Sequence, residues 1–284
     1  MATQLITTDQ QLRKYLPNAF ATVQGEAPFF EKVLPWLEAA ERWTFSQFIG
    51  NSFLPILVTM DENHPLRLTA CSVVAHEAMM RAVPSLDLVL TPNGFGVVSN
   101  SNVAPASRDR VMRLVKSLEE SRDIAIEQML QYLFQDERWF VTSTRRWFTA
   151  TLFPNIDLAN LCGVTEKRWA NYLALRLKAV EVEQRIAEEY ISPEQMDVLR
   201  NEVIGIDWSF TLADRLHLRV IEQLRSIVVS ALQGSPLNIQ GLRDIVDLMR
   251  KNEDIFQEFR NSETYKLFTP PIFENKKESH GYFF

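Results

Sequence analysis

Glycine is scarce here, nine in 284 residues. That leaves little room for a Gly-rich phosphate-binding fold or a loop-rich β architecture. There are two cysteines, Cys71 and Cys162, far apart and in apolar surroundings. They read as buried free thiols suited to a reducing compartment. Histidine is limited to His64, His76, His217 and His280. His76-Glu77 opens like the zinc-protease pattern on a helix, but position 80 is Met, so the second ligand is missing. No metal and no cofactor is expected. Long apolar runs are absent too. No stretch approaches the ~18 residues that a membrane-crossing helix needs. The start MATQLITTDQQLRKYL lacks the basic-then-apolar order of a signal peptide, so the expectation is a protein made in the cytoplasm with no membrane association. Basic excess is missing as well. A net charge of −6 and a pI near 5.4 argue against wrapping nucleic acid, which needs a basic surface. Sequence-specific nucleic-acid binding is therefore not expected, whereas a passage through which DNA moves remains compatible.

What the chain does have is helical periodicity in ordinary soluble proportions, 46% hydrophobic and 23% charged residues. Thr8 and Asp9 are cap candidates for a helix ending before Pro17. Residues 28–49 place Phe30, Val33, Leu37, Ala40, Thr44 and Phe48 at helical spacing, and Gly50-Asn51 is a stop signal. A helix over 66–83 ends at Pro84. Another spans 107–135, with Ser107 as N-cap and the stripe Val111, Leu114, Leu118, Ala125, Met129, Tyr132. Further helices are predicted over 166–191, ending at Ser192-Pro193, over 212–232, buried almost all round, and over 238–260. The class is mainly α, an antiparallel helical bundle.

A shift of 142 residues lays AERWTFSQFIGNSFLPIL (40–57) on VEQRIAEEYISPEQMDVL (182–199). Glu41 then meets Glu183, Ile49 meets Ile191, Phe48 meets Tyr190, Leu54 meets Met196 and Leu57 meets Leu199. Helical chains share such periodicity by chance, so the sequence leaves open whether the halves are a true duplication. Either way it sets a boundary near residue 145, giving halves 1–145 and 146–268 and a tail 269–284. In the second half GSPLN joins the paired helices, while in the first the same link runs from Pro84 to Ala106. Loops that long in a compact domain are usually functional or structured. Two β-prone runs joined by Pro92-Asn93-Gly94 predict a projecting hairpin over 86–99.

The hairpin glycines suit turns better than phosphate. Gly94 and Gly96 lack a third glycine at the required spacing, and no Lys-Ser or Lys-Thr follows. No cysteine or carboxylate pair carries a catalytic motif; Glu119-Glu120 and Glu188-Glu189 read as solvated faces, and no enzyme is predicted. Residues 137–148, ERWFVTSTRRWF, interleave arginines with aromatics, a pattern that binds phosphate or single strands but more often makes a core or subunit contact. Its secondary structure is ambiguous from sequence. The tail carries Phe273, Tyr282, Phe283 and Phe284 after Pro270-Pro271, an aromatic load that suits docking onto a neighbour.

The run DLVLTPNGFGVVSNSNVAPASRDRV, with AERWTFSQFIG before it, resembles an uncharacterised phage- and prophage-associated family of gut bacteria. The layout is similar to tailed-phage head–tail connector proteins, also called adaptor or neck proteins. The motif resemblance covers roughly residues 10–135. It implies a virion structural protein, made in the host cytoplasm, that assembles as a homo-oligomeric ring beside the portal and contacts other neck or tail proteins. The expected contact residues are Leu88, Leu90, Asn93, Phe95 and Val97 of the hairpin, and Arg108 and Arg110 at the next helix start. Arg145, Arg146 and Trp147, with Phe273, Tyr282, Phe283 and Phe284 of the tail, complete the set. The alternative is a stand-alone helical protein-binding module, monomeric or dimeric, with no virion role.

Overall fold

A computed structural model describes residues 4–16, 28–86, 107–204 and 211–269, and the backbone of 88–91 and 94–97. The helices pack as a bundle in two compact units. One holds the chain through Phe148 together with Asn155–Leu173; the other holds Thr149–Pro154 and the chain from Ala174 onward. The units therefore interleave in sequence.

In the first unit α1 (Asp9–Tyr15) packs against α2 (Phe29–Thr44) and α4 (Pro65–Leu86). The Thr8 hydroxyl accepts the N–H of Gln11 and caps α1. The chain leaves α2 through a single π turn, Phe45–Ile49, in which the N–H of Gly50 bonds back to the Phe45 carbonyl at 2.9 Å. Gly50 then adopts φ 79°, where a side chain is disfavoured, and a Cβ built there would lie 3.0 Å from the Thr144 hydroxyl. Short α3 (Leu54–Thr59) precedes α4, which pairs with α5 (Arg108–Gln135). Pro84 does not end α4, which runs on to Leu86. In the last turn the missing proline N–H sacrifices only one ladder bond.

Between α4 and α5 the backbone forms two antiparallel strands, β1 (Leu88–Thr91) and β2 (Gly94–Val97). Leu88 pairs with Val97 and Thr91 with Gly94. Gly94 is thus the first strand residue and not part of the turn; Pro92 and Asn93 lie outside the described residues. After α5 the ambiguous arginine–aromatic stretch resolves into a 3-10 turn, Glu137–Trp139, and α6 (Ser143–Thr149).

Trp139 and Phe148 are fully buried. The Trp139 indole N–H donates to the carbonyls of Phe48 at 3.0 Å and Ile49 at 3.1 Å. A π turn detaches carbonyls from the i to i+4 ladder, and this indole satisfies two of them. Around Trp139 and Phe148 gather Phe48, Phe134, Trp169 and Trp43, mostly in edge or tilted contacts. Short α7 (Asp157–Leu161) leads to α8 (Arg168–Ile186), which starts in the first unit and finishes in the second. Asp123 of α5 accepts the N–H of Trp169 at 3.2 Å, capping α8 from another helix.

The second unit repeats the local order. After α8 comes a π turn, Ala187–Ile191, closed by a bond from the N–H of Ser192 to the Ala187 carbonyl at 2.8 Å. Ser192 sits at φ 84°. Then follow α9 (Pro193–Glu202), α10 (Leu212–Leu232), α11 (Ile239–Lys251), a turn, α12 (Gln257–Arg260) and α13 (Glu263–Phe268). Two sequence expectations are corrected here. The helix over 238–260 breaks at Asn252, and α10 is not buried all round, since Arg215, Arg219, Glu222 and Ser226 are exposed.

The two π turns, the positive-φ residue that follows each and the first helical bonds after them fall 142 residues apart. The N–H of Leu54 bonds the Gly50 carbonyl, and that of Met196 bonds the Ser192 carbonyl. One helical turn before each π turn lies a buried glutamate, Glu41 or Glu183. Each accepts backbone N–H groups from a non-helical segment, Gln4-Leu5 in one unit and Leu152 in the other.

Candidate assembly interface

α5 is the longest helix described, at 28 residues. Its expected apolar stripe is buried at Leu118, Ala125 and Met129 but not before Leu118, and its last member, Tyr132, is 37% exposed. Between Arg108 and Ser117 no residue is buried. Met112 is 50% exposed and Leu114 46% exposed, so two large apolar side chains of this stretch remain in solvent. At ~1.5 Å per residue this end runs about 15 Å past the point where burial begins. Its polar residues are mostly basic: Arg108, Arg110, Arg113 and Lys116, against Asp109. Ser107 has the extended backbone of an N-cap, but its side chain makes no cap bond.

A groove of about 360 Å³ runs beside this end, lined by Val111, Met112, Val115, Lys116, Glu119 and Glu166 among others. Lys116 and Glu166 pair across it at 2.6 Å. Glu166 raises the ammonium's pKa, and Lys116 lowers that of the carboxylate. Arg108, Arg110 and Arg113 have no carboxylate within ion-pair distance among the described residues. Basic charge beside exposed apolar surface suits contact with an acidic, partly apolar surface.

The sequence-predicted contact residues fall on separate elements. Leu88 and Leu90 lie on β1, paired in register with Val97 and Phe95 of β2. Arg108 and Arg110 occupy the first turn of α5 and are exposed. Arg145, Arg146 and Trp147 share α6. Arg145 lies 4.4 Å over the Phe140 ring, and its burial lowers the guanidinium pKa. Trp147 is 38% exposed and meets Phe148 and Tyr172 edge-on. Arg138 is spent on Asp136, whose carboxyl it holds below the usual range. Asn93, Phe273, Tyr282, Phe283 and Phe284 lie outside the described residues.

Sequence reading missed Met112, Arg113 and Lys116, and also Leu177 on α8, which is 67% exposed. Leu177, Glu181, Gln184 and Glu188 recur at helical spacing and are all exposed. A stripe with one apolar residue among acidic and polar ones gives no amphipathic signal. Among the described residues no group of three or more His, Cys, Asp or Glu side chains could hold a metal ion. His76 bonds the Ser72 carbonyl at 2.7 Å, and burial lowers its pKa. Among the described residues no helix is long and apolar enough to cross a membrane.

Residues 29–149 match a family of unknown function, DUF6712. The matched span begins at the first residue of α2 and ends at the last residue of α6. It therefore covers one complete pass of the helical order that the second unit repeats. No curated protein and no solved structure matches the chain.

Proposed function

We propose that this protein is a virion structural subunit, a head–tail connector or adaptor that assembles as a ring beside the phage portal. The observation that carries this reading is the contrast between two matching helix pairs. In the second unit six residues, 233–238, join α10 to α11. In the first, twenty-one residues, 87–107, join α4 to α5 and include a β-hairpin, and α5 itself continues into solvent. Folding one helical unit requires neither addition, since the second unit dispenses with both. A hairpin edge offers backbone pairing to a neighbour, and an exposed apolar helix end offers burial. A subunit with such devices joins head to tail, and a head-to-tail contact that closes by rotation makes a ring. The hairpin 86–99 and the tail 269–284 are the assembly elements of this reading. Neighbouring portal, neck or tail proteins are its partners, and an acidic lining lets DNA pass by repelling phosphate.

The test is native mass measurement of the purified chain, alone and with the cognate portal protein. A ring-sized species in either condition is the expected result. A monomer or dimer in both would favour a stand-alone helical binding module instead. Deleting residues 87–99 is expected to leave helical content intact and abolish the ring.

A further inference from the structure

We infer that the exposed end of α5 docks against the outer face of α8 on a second copy of this chain, the two helices running antiparallel. This rests on the assembly reading above and names the two surfaces that meet. The groove beside α5 is apolar at Val111, Met112 and Val115 and carries two lysines and three glutamates, while the helix start beyond its lining is basic, with Arg108, Arg110 and Arg113. The outer face of α8 presents Leu177, exposed at 67%, with Glu181 one turn on and Glu188 beyond. The adjoining acidic residues Glu189, Glu194 and Asp197 are exposed as well, and the basic residues nearby are Lys178 and Arg185. Glu189 and Asp197 are already paired, with Arg185 and Arg200, so Glu181, Glu188 and Glu194 carry the acidic character of this face.

Spacing matches the two faces. Arg108 lies four residues before Met112, and Glu181 four residues after Leu177, each step about 6 Å along a helix. With the helices antiparallel, Leu177 enters the groove at Met112 while Glu181 meets Arg108 and Gln184-Glu188 continues past the helix start. An ionic rim around an apolar contact sets register and orientation. Because the two surfaces differ, every copy carries one of each, and the contact propagates to a third copy and onward.

Charge exchange tests this on the full-length chain. One variant carries Arg108→Glu, Arg110→Glu and Arg113→Glu; the other carries Glu181→Arg and Glu188→Arg. All five positions are exposed, and circular dichroism should show unchanged helix content in both variants. Each variant alone is expected to lose the large species in native mass measurement, with association weakened at least tenfold. Mixed in equal amounts, they are expected to regain it, since each reversed face then meets its opposite. Leu177→Ser is expected to weaken association without changing its salt dependence. Two results overturn the inference while leaving the assembly reading standing: both charge variants assembling like the parent chain, or both failing even when mixed while the parent chain assembles. A parent chain that stays monomeric with and without portal overturns both.

Discussion

Among the described residues Glu41, in the first unit, is buried with backbone donors alone, chiefly the N–H groups of Gln4 and Leu5 at 2.7–3.0 Å. In the second, Glu183 occupies the matching position. It accepts the Leu152 N–H and the Thr151 hydroxyl on one oxygen and two guanidinium bonds from Arg200 on the other. Both carboxylates pin a non-helical segment to a helix just ahead of a π turn. They differ in whether a cation is buried with them, so the same fold position carries different energetics. Removing one partner of a buried pair strands the other, whereas a lone carboxylate held by neutral donors is replaceable by a neutral acceptor.

The largest expected effect follows directly. Glu183→Ala leaves Arg200, which is only 15% exposed at its side chain, with the exposed Asp197 as its remaining carboxylate and orphans the Leu152 N–H. The expected loss is about 3–5 kcal/mol, read by chemical unfolding and by faster hydrogen exchange at the Leu152 amide. Glu41→Gln keeps an acceptor for both N–H groups and is expected to change stability by less than about 1 kcal/mol. Equal losses at the two positions would show that the cation is incidental and that the units are stabilised alike.

The residue after each π turn offers a second contrast. Gly50 and Ser192 share a left-handed backbone, φ 79° and 84°. At Gly50 a Cβ would meet Thr144 and Thr142, whereas the Ser192 hydroxyl is already built in and accepts the Gln195 N–H to cap α9. Gly50→Ala is expected to cost roughly 2 kcal/mol or more, from backbone strain together with crowding. Ser192→Gly relieves strain of about 1 kcal/mol and gives up a cap worth only a few tenths when glycine replaces it. It should therefore be neutral to mildly stabilising. Unfolding monitored by tryptophan emission reports the first of these, since five of the six tryptophans belong to the first unit. Amide exchange across 192–196 reports the second.

These contrasts also show what was legible before the fold was known. Glu41 with Glu183 and Ile49 with Ile191 aligned at a single offset in the sequence, and the structure places the π turns at that same offset. Periodicity found the helices because burial selects apolar residues every third or fourth position. It could not find the π turns, since one inserted residue per turn has no compositional mark. Nor could it tell the two ends of α5 apart. Val111 and Leu114 continue the stripe of Leu118 and Ala125, yet only the latter pair has a partner helix to bury it. A stripe records which face is apolar and is silent on whether anything reaches it. Ser107 shows the same limit at a smaller scale: the residue type suits a cap, but its hydroxyl makes no cap bond. The bond from Trp139 to the first π turn joins residues about ninety positions apart, beyond any local pattern.

The smallest effect separates two forces acting on Glu41 itself. Burial raises its pKa above the ordinary 4.5, and the backbone N–H bonds pull the other way without cancelling it. With the folded value above the unfolded one, the folded state binds the proton first as pH falls. The glutamate's contribution to stability therefore grows from neutral pH downward, is complete below the unfolded value, and is lost as pH rises through the folded one. Glutamine at this position does not titrate. The stability of the parent chain minus that of Glu41→Gln should accordingly rise on going from pH 7 to about 4.5. Subtracting the variant cancels every other titrating group, including Asp136 and Glu166, whose lowered values act in the opposite sense. A difference that falls on acidification would mean that the N–H bonds outweigh burial. Glu41 would then be a charged staple in its own right and would need no cation to match Glu183.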